Sequence, residues 1–307
     1  QGMQDSQEAD NVLDFEDVRG PLFVWLKKQE VIRYVKRQFE HFVRHFKTDE
    51  GVYLYEQKIH DMCQNNKQSL EIIFNHLSTK YPTLAIWLAE EPKLMLDIIN
   101  QVAIDVVVEV YPDYNKIHDQ IFVRVKDLPV EDKLRDLRQV HLNALIKIRG
   151  VVTKRTAVFP ELKEMYFRCQ SCQDLKGPLF HNNVEEQKQY LGQCIICQAK
   201  GPYHLEDNKS VYRNYQKWTI QETPGSVPPG RVPRQKEVFI LNDLVDTARP
   251  GDEVEITGIF INKFDYGANV KHGFPVFTTI IEANNVRRFG DEQVIELTDE
   301  DKNQIKK

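Results

Sequence analysis

Leu145-Ile-Lys-Ile-Arg-Gly-Val-Val-Thr-Lys-Arg-Thr156 is the stretch on which the fold turns. Its β-branched residues alternate with charged ones, so a period of 2 describes it and a period of 3.6 does not. It reads as a long strand that puts Lys147 and Arg149 on one face. Downstream, Glu164 to Arg168, Val211 to Gln221, Glu237 to Leu241, Val254 to Ile261 and Phe274 to Glu282 have the same character, as does Ile121 to Val125 just upstream. Gly, Pro, Asn and Asp separate them. Short strands with little helix between them predict a compact barrel or sandwich.

Upstream the period is helical. Val31, Val35, Phe39, Phe42 and Phe46 recur at spacings of 4, 4, 3 and 4, which predicts one amphipathic helix over 21–47 with an apolar face that needs a partner. Tyr53 to Asn65 predicts a second helix, followed by a short apolar run, Leu70 to Phe74. Pro82 and Pro92 each open a further helix, the last apolar on most sides until Tyr111-Pro112. At the chain's far end, Leu297-Thr298-Asp299-Glu300-Asp301 starts like a linker helix, and Gln1-Gly2-Met3 reads as the start of a piece of a longer chain.

Net charge is −5, which argues against bulk attraction to nucleic acid. The charge is uneven, however. Residues 142–290 hold 20 Lys+Arg against 16 Asp+Glu, the only basic block, so any phosphate contact must come from a local face. With no apolar run of membrane length and no secretory leader, a spanning or secreted protein is not expected.

Four of the five cysteines fall as Cys169-Gln-Ser-Cys172 and Cys194-Ile-Ile-Cys197. Two such knuckles supply four thiolates, enough for a closed tetrahedral structural site with no position left for a reacting water. The competing reading is two redox pairs or disulfides, which the absence of a secretion signal and of a thioredoxin-like pattern disfavours. His181 and His204 lie near enough in sequence to replace one sulfur. Cys63 reads as a small buried apolar side chain, and the His41/His45 pair as a solvated helix face, since no third ligand is visible.

Gly225-Ser-Val-Pro-Pro-Gly230 copies the glycine spacing of a phosphate-binding loop, but Arg231-Val232 replaces Lys-Ser/Thr, and Pro228 and Pro229 have no N–H to offer a phosphate. No nucleophile with its base stands out either. The chain therefore reads as non-catalytic and as binding no nucleotide itself.

The stretches Arg138 to Thr153, the four-cysteine segment, Tyr212-Arg-Asn-Tyr-Gln-Lys217, Gln221-Glu-Thr-Pro224, Val227 to Arg234 and Gly273-Phe-Pro-Val-Phe277 together resemble the N-terminal part of minichromosome maintenance (MCM) replicative helicase subunits. That resemblance runs from about residue 13 to 300. It implies an α+β fold: a flexible segment 1–20, an N-terminal helical A subdomain over 21–130, a five-stranded OB-fold β-barrel over 131–167 and 213–290, and an inserted zinc-ribbon-like module over 168–212. Residues 291–307 would begin the linker to an ATPase module.

By the same resemblance, Cys169, Cys172, Cys194 and Cys197 hold one structural Zn2+. Gln221, Glu222, Pro224, Gly230, Arg231 and Arg234 belong to a loop that contacts the motor tier. Asn262 to His272 matches a hairpin pointing into the DNA channel, where only Lys263 and Lys271 are basic. Partners would be other MCM subunits in a hetero-hexamer, DNA held weakly by the isolated chain, and other replication factors; the compartment would be the nucleus and the process DNA replication and origin licensing. On physical grounds the candidate DNA contacts are Lys147, Arg149, Lys154 and Arg155 on the first long strand, with residues 231, 234 and 236 as a second cluster. Each cation alone reads as a solvated side chain; the clustering carries the idea. Phe264 and Tyr266 read more readily as packing residues than as base stackers. The rival function is a zinc-ribbon/OB adaptor that binds only proteins.

Overall fold

The structure is a computed structural model that describes residues 21–48, 51–179, 192–264 and 277–289. Its first part is helical: α1 (Leu22–Trp25), α2 (Gln29–His45), α3 (Leu54–Gln64), α4 (Phe74–Lys80), α5 (Pro82–Glu90) and α6 (Pro92–Val110). Val31, Val35, Phe39 and Phe42 are buried as the spacing requires, and α2 packs against α6, which brings Met95, Ile99, Val102 and Val106 into the same core. Pro82 and Pro92 sit in the first turns of α5 and α6, where a missing N–H costs no helical bond.

One expectation needs correction here, and two segments that the pattern leaves open are placed. The helix read over 21–47 is interrupted: Lys28 is extended (φ −73°, ψ 133°), and the break tucks Leu26 into the core while Phe23 and Val24 stay exposed. The run Leu70 to Phe74 is a strand, β1 (Ser69–Ile73), followed at once by α4, which the periodicity missed. β1 pairs in parallel with β2 (Phe122–Lys126), so the Ile121 to Val125 strand belongs to a two-stranded sheet against the helices and not to the barrel.

The remaining strands are β3 (Leu145–Arg155), β4 (Phe159–Cys169), β5 (Leu175–Leu179), β6 (Tyr203–Leu205), β7 (Val211–Gln221), β8 (Gln235–Leu241), β9 (Glu253–Phe264) and β10 (Phe277–Arg288). Five of them follow the order β3-β9-β10-β8-β7, and β7 returns to pair with β3, closing a barrel. Closure is made within one strand. β3 pairs β9 from Leu145 to Val151 and β7 from Val151 to Arg155, with a bulge after Val152. Gly150 stands at this crossing, where a Cβ would lie 2.6 Å from the Gln221 carbonyl oxygen, so only glycine lets the seam close. Ile146, Ile148, Trp218, Ile220, Val238, Ile256 and Ile281 fill the interior.

β4 leaves the barrel. Its first half, Phe159 to Glu164, pairs only with β7, which lets Pro160 sit at an edge with no ladder bond lost. Its second half pairs with β5 and β6 and ends at Cys169. The four-cysteine module is thus an outgrowth of the β4–β7 ribbon.

Candidate metal centre and barrel surface

The two knuckles have the same backbone. In the first, the Cys169 N–H donates to the Asp174 carbonyl (2.9 Å) and the Gln173 N–H to the Cys169 carbonyl (3.0 Å); in the second, Cys194 donates to Ala199 (2.9 Å) and Gln198 to Cys194 (2.9 Å). Gln173 and Gln198 both adopt left-handed φ, +61° and +56°, which turns the chain back and aims both thiols inward. The sequence signal was Cys-x-x-Cys-Gln, present twice.

Across the knuckles, Cys169 Sγ lies 3.6 Å from Cys197 Sγ and Cys172 Sγ lies 3.5 Å from Cys194 Sγ, with all four sulfurs within 4.8 Å of one another. A disulfide would bring a pair to about 2.05 Å. Four sulfurs around one ion at about 2.3 Å stand about 3.8 Å apart. The geometry is that of a metal cage, and the donor set, four thiols, is that of a soft or borderline ion. Backbone N–H groups of Cys197 and Ile196 favour the Cys194 thiolate and hold its pKa down to about 6, and those of Cys172 and Ser171 lower Cys169. Cys169 and Cys194 are buried against Met165, Phe167 and Tyr203; Cys197 is exposed.

Among the described residues, no histidine joins the four sulfurs. His204 Nε2 is bonded to the Gln170 side chain. His181 lies outside the described residues. His41 and His45 stack at 4.3 Å on α2, with no third ligand gathered around them among the described residues. Cys63 is half-buried and its thiol pKa is raised by burial.

The basic barrel face is thinner than the strand pattern suggests. Arg149 is paired with Glu253 (2.8 Å) and lies over the Phe289 ring (4.0 Å to the centroid); Arg155 is paired with Asp246 (3.0 Å) and donates to the Ala248 carbonyl (3.1 Å). Both carboxylates are about a hundred residues away in sequence, so the pairing was invisible there. Lys147 and Lys154 make no ion pair among the described residues, and Lys154 is exposed. Lys263 sits over the Phe239 ring (5.1 Å) at the end of β9. Lys271 and Tyr266 lie outside the described residues, with most of the Asn262 to His272 stretch.

The Gln221 to Arg234 loop is pinned at its neck. Glu222 donates its N–H to the Arg234 carbonyl (3.1 Å), and the Arg234 N–H returns a bond to the Glu222 carboxylate (3.0 Å). That carboxylate, 5% exposed, also receives Arg135 Nε (2.8 Å) and Nη2 (2.6 Å) as a two-pronged fork. Glu222 is therefore an anchor at the base of the loop. Pro224 opens a single 3-10 turn, Gly230 takes φ +78° at the tip, and Arg231 is exposed. Arg135, on the far side of the barrel sequence, was not singled out because nothing in Glu-Asp-Lys-Leu-Arg marks its partner.

The Arg135 fork, chiefly, holds the Glu222 carboxyl below the usual carboxylate range. A group whose folded pKa is depressed adds stability above its unfolded pKa and loses it as pH falls through the folded one. Glu222→Gln is expected to lower stability at neutral pH and to make the remaining stability less steep in pH below about 4.5, the ordinary glutamate value. Urea unfolding midpoints measured from pH 7 to pH 3 on both proteins check it; parallel pH curves would count against the assignment.

A closed five-stranded barrel carrying a helical subdomain at one side and a four-thiol module on an extended ribbon defines an oligonucleotide/oligosaccharide-binding (OB) fold protein with an attached module whose four cysteines could hold a metal ion. Comparison with known families places it further. The MCM N-terminal domain matches residues 36–127 and the MCM OB domain residues 133–264. The chain belongs to the minichromosome maintenance family, of which it carries the N-terminal and OB domains. It is similar to the DNA replication licensing factor MCM2 of Oryza sativa subsp. japonica, 44% identical over 99% of this chain and 32% of that protein. The fission yeast Schizosaccharomyces pombe protein of that name is 40% identical over 92% of this chain and 35% of its own length. The minichromosome maintenance protein MCM of Saccharolobus solfataricus is 30% identical over 86% of this chain and 39% of its own. The chain thus spans about a third of the length of the curated relatives it matches. Among the described residues, no helix is long and apolar enough to cross a membrane.

Proposed function

We propose that this chain is the non-catalytic N-terminal collar of a replicative DNA helicase subunit of the MCM2 type. It contributes one sixth of a hetero-hexameric ring of MCM subunits that encircles chromosomal DNA in the nucleus, where it serves origin licensing and replication. The four-cysteine module holds one structural zinc and projects from the barrel as a contact between subunits or rings. The Gln221 to Arg234 loop faces the motor tier. One observation supports this above the others: the N-terminal and OB domain matches fall in series around a closed barrel with a four-thiol cage.

In this reading the ring supplies the avidity that a protomer of net charge −5 lacks. Lys147, Lys154 and Lys263, which make no ion pair among the described residues, are the cations offered to phosphate together with Lys271, while Arg149 and Arg155 are engaged by Glu253 and Asp246. The isolated chain is expected to bind a single-stranded oligonucleotide weakly, with a salt slope that falls by roughly one phosphate contact for each lysine changed to alanine. Arg149→Ala should leave that slope unchanged. In the assembled ring, a photoreactive DNA should crosslink to the barrel. Crosslinks confined to other subunits would favour the rival, a protein-only adaptor, for which the pairing of Arg149 and Arg155 is the specific support.

A further inference from the structure

At the end of the barrel beside the Glu222 anchor, two arginine side chains converge with no carboxylate paired to either guanidinium among the described residues. Arg138 Nη1 donates to the carbonyls of Arg135 (2.7 Å) and Leu137 (2.8 Å), and Arg234 Nη1 donates to the same Arg135 carbonyl (3.3 Å). One oxygen therefore holds two cationic heads within about 6 Å of each other, a distance at which like charges repel and gain by sharing an anion. No carboxylate of the described residues pairs with either. Glu222 is committed to Arg135, Asp132 faces His141 at 3.8 Å, and Asp136 makes no ion pair with Arg138 or Arg234. Both heads are exposed, and each keeps its second terminal nitrogen for another partner.

Along the chain, each arginine has an exposed valine two residues away. Val140, two residues after Arg138, is 83% exposed, and Val232, two residues before Arg234, is 85% exposed. Exposed valines two residues from these cations have no use in tracking a phosphate backbone, where contacts are polar and basic. They do suit a protein segment that brings a carboxylate and aliphatic side chains together.

We propose that Arg138, Arg234, Val140 and Val232 form a docking surface for an acidic, aliphatic protein segment, one carboxylate bridging the two guanidinium groups while its aliphatic neighbours cover the valines. The collar reading gives the loop a neighbour but no chemistry of recognition; this surface supplies one, and it stands even if that reading fails. It is also separate from the strand lysines.

The test uses the full chain and a dye-labelled peptide repeating Glu-Leu-Asp-Glu-Ile three times, read by fluorescence anisotropy. Arg138→Gln with Arg234→Gln is expected to weaken binding at least about tenfold, and Val140→Ser with Val232→Ser several-fold. Arg138→Glu with Arg234→Glu should lose this peptide and gain one with lysine in place of each acid, a reversal that damage to the loop cannot produce. Lys147→Ala with Lys154→Ala should change nothing. Peptide binding indifferent to both arginines would overturn the proposal, as would an oligonucleotide that needs them where the peptide does not bind.

Discussion

Cys194→Ser is expected to release the metal and unfold the module while the barrel stays intact. Purified protein should carry about one zinc per chain by elemental analysis, and the variant close to none, because a tetrahedral thiolate site that loses one ligand is opened to water and exchange. The free energy at stake is large: structural zinc contributes on the order of 10 kcal/mol to the folding of small metal-held modules at neutral pH. Here little else would replace it. The module's own apolar cluster is Met165, Phe167, Tyr203 and the buried cysteines, with a few half-buried neighbours. The barrel, by contrast, has a separate core around Trp218, Ile220 and Val238 that shares no residue with that cluster. Limited trypsin digestion should then cut within the module at Arg168, Lys176 or Lys200 in the variant and not in the parent protein, while Trp218, fully buried, keeps its emission. Cys63→Ser, on α3, should leave the zinc content unchanged. Metal-free protein with two disulfides would defeat the claim, and the sulfur separations of 3.5 and 3.6 Å are what argue against that outcome.

The cage was legible in the sequence because each knuckle is local: the spacing and the repeated Cys-x-x-Cys-Gln fix the turn before any long-range contact forms. β3 and β7 were legible for the same reason, since their alternation is carried by their own residues. What the sequence concealed was decided by partners far along the chain. β10 runs on to Arg288, past the Glu282 at which its strand pattern stops, with a bulge between Ala283 and Asn285 where the Asn284 amide bonds into the adjoining sheet. β5 and β6 are short and carry Gly, Pro and His; they are strands only because β4 lies between them. Arg149 and Arg155 read as groove cations, and their pairing with Glu253 and Asp246 could not be foreseen from the strand pattern. Strand pattern predicts which face a side chain takes, but its charge partner is set by topology.

Topology also places the second large effect, at the joint between the helical part and the barrel. Arg124 on β2 is buried, with its side chain 7% exposed. It forms an ion pair through Nη2 with Asp243, which follows β8, while Nη1 donates to the Asn284 carbonyl on β10 (2.9 Å) and Nε to Ser69 Oγ on β1 (3.1 Å). Ser69 in turn donates to Asp243. Alongside, Asn284 completes the edge of β2 as a strand would: its Oδ1 accepts the Val125 N–H (2.8 Å) and its Nδ2 donates to the Val123 carbonyl (3.0 Å). Asp243→Ala would leave the Arg124 charge buried with only neutral acceptors. Breaking one half of a buried pair costs about 3–5 kcal/mol, since the remaining ion keeps its desolvation penalty. That is a large fraction of a domain's total stability of roughly 5–15 kcal/mol. Asn284→Ala should cost less, about 1–3 kcal/mol, for the unpaired Val125 N–H. The double change Arg124→Met with Asp243→Leu removes both charges and should recover most of the loss, because apolar groups of similar volume can replace a buried pair. Urea unfolding would give the three energies, and hydrogen exchange at β1 and β2 should quicken in Asp243→Ala before exchange in the barrel does, since the joint opens first. If the double variant were as unstable as Asp243→Ala, packing and not the stranded charge would govern the joint.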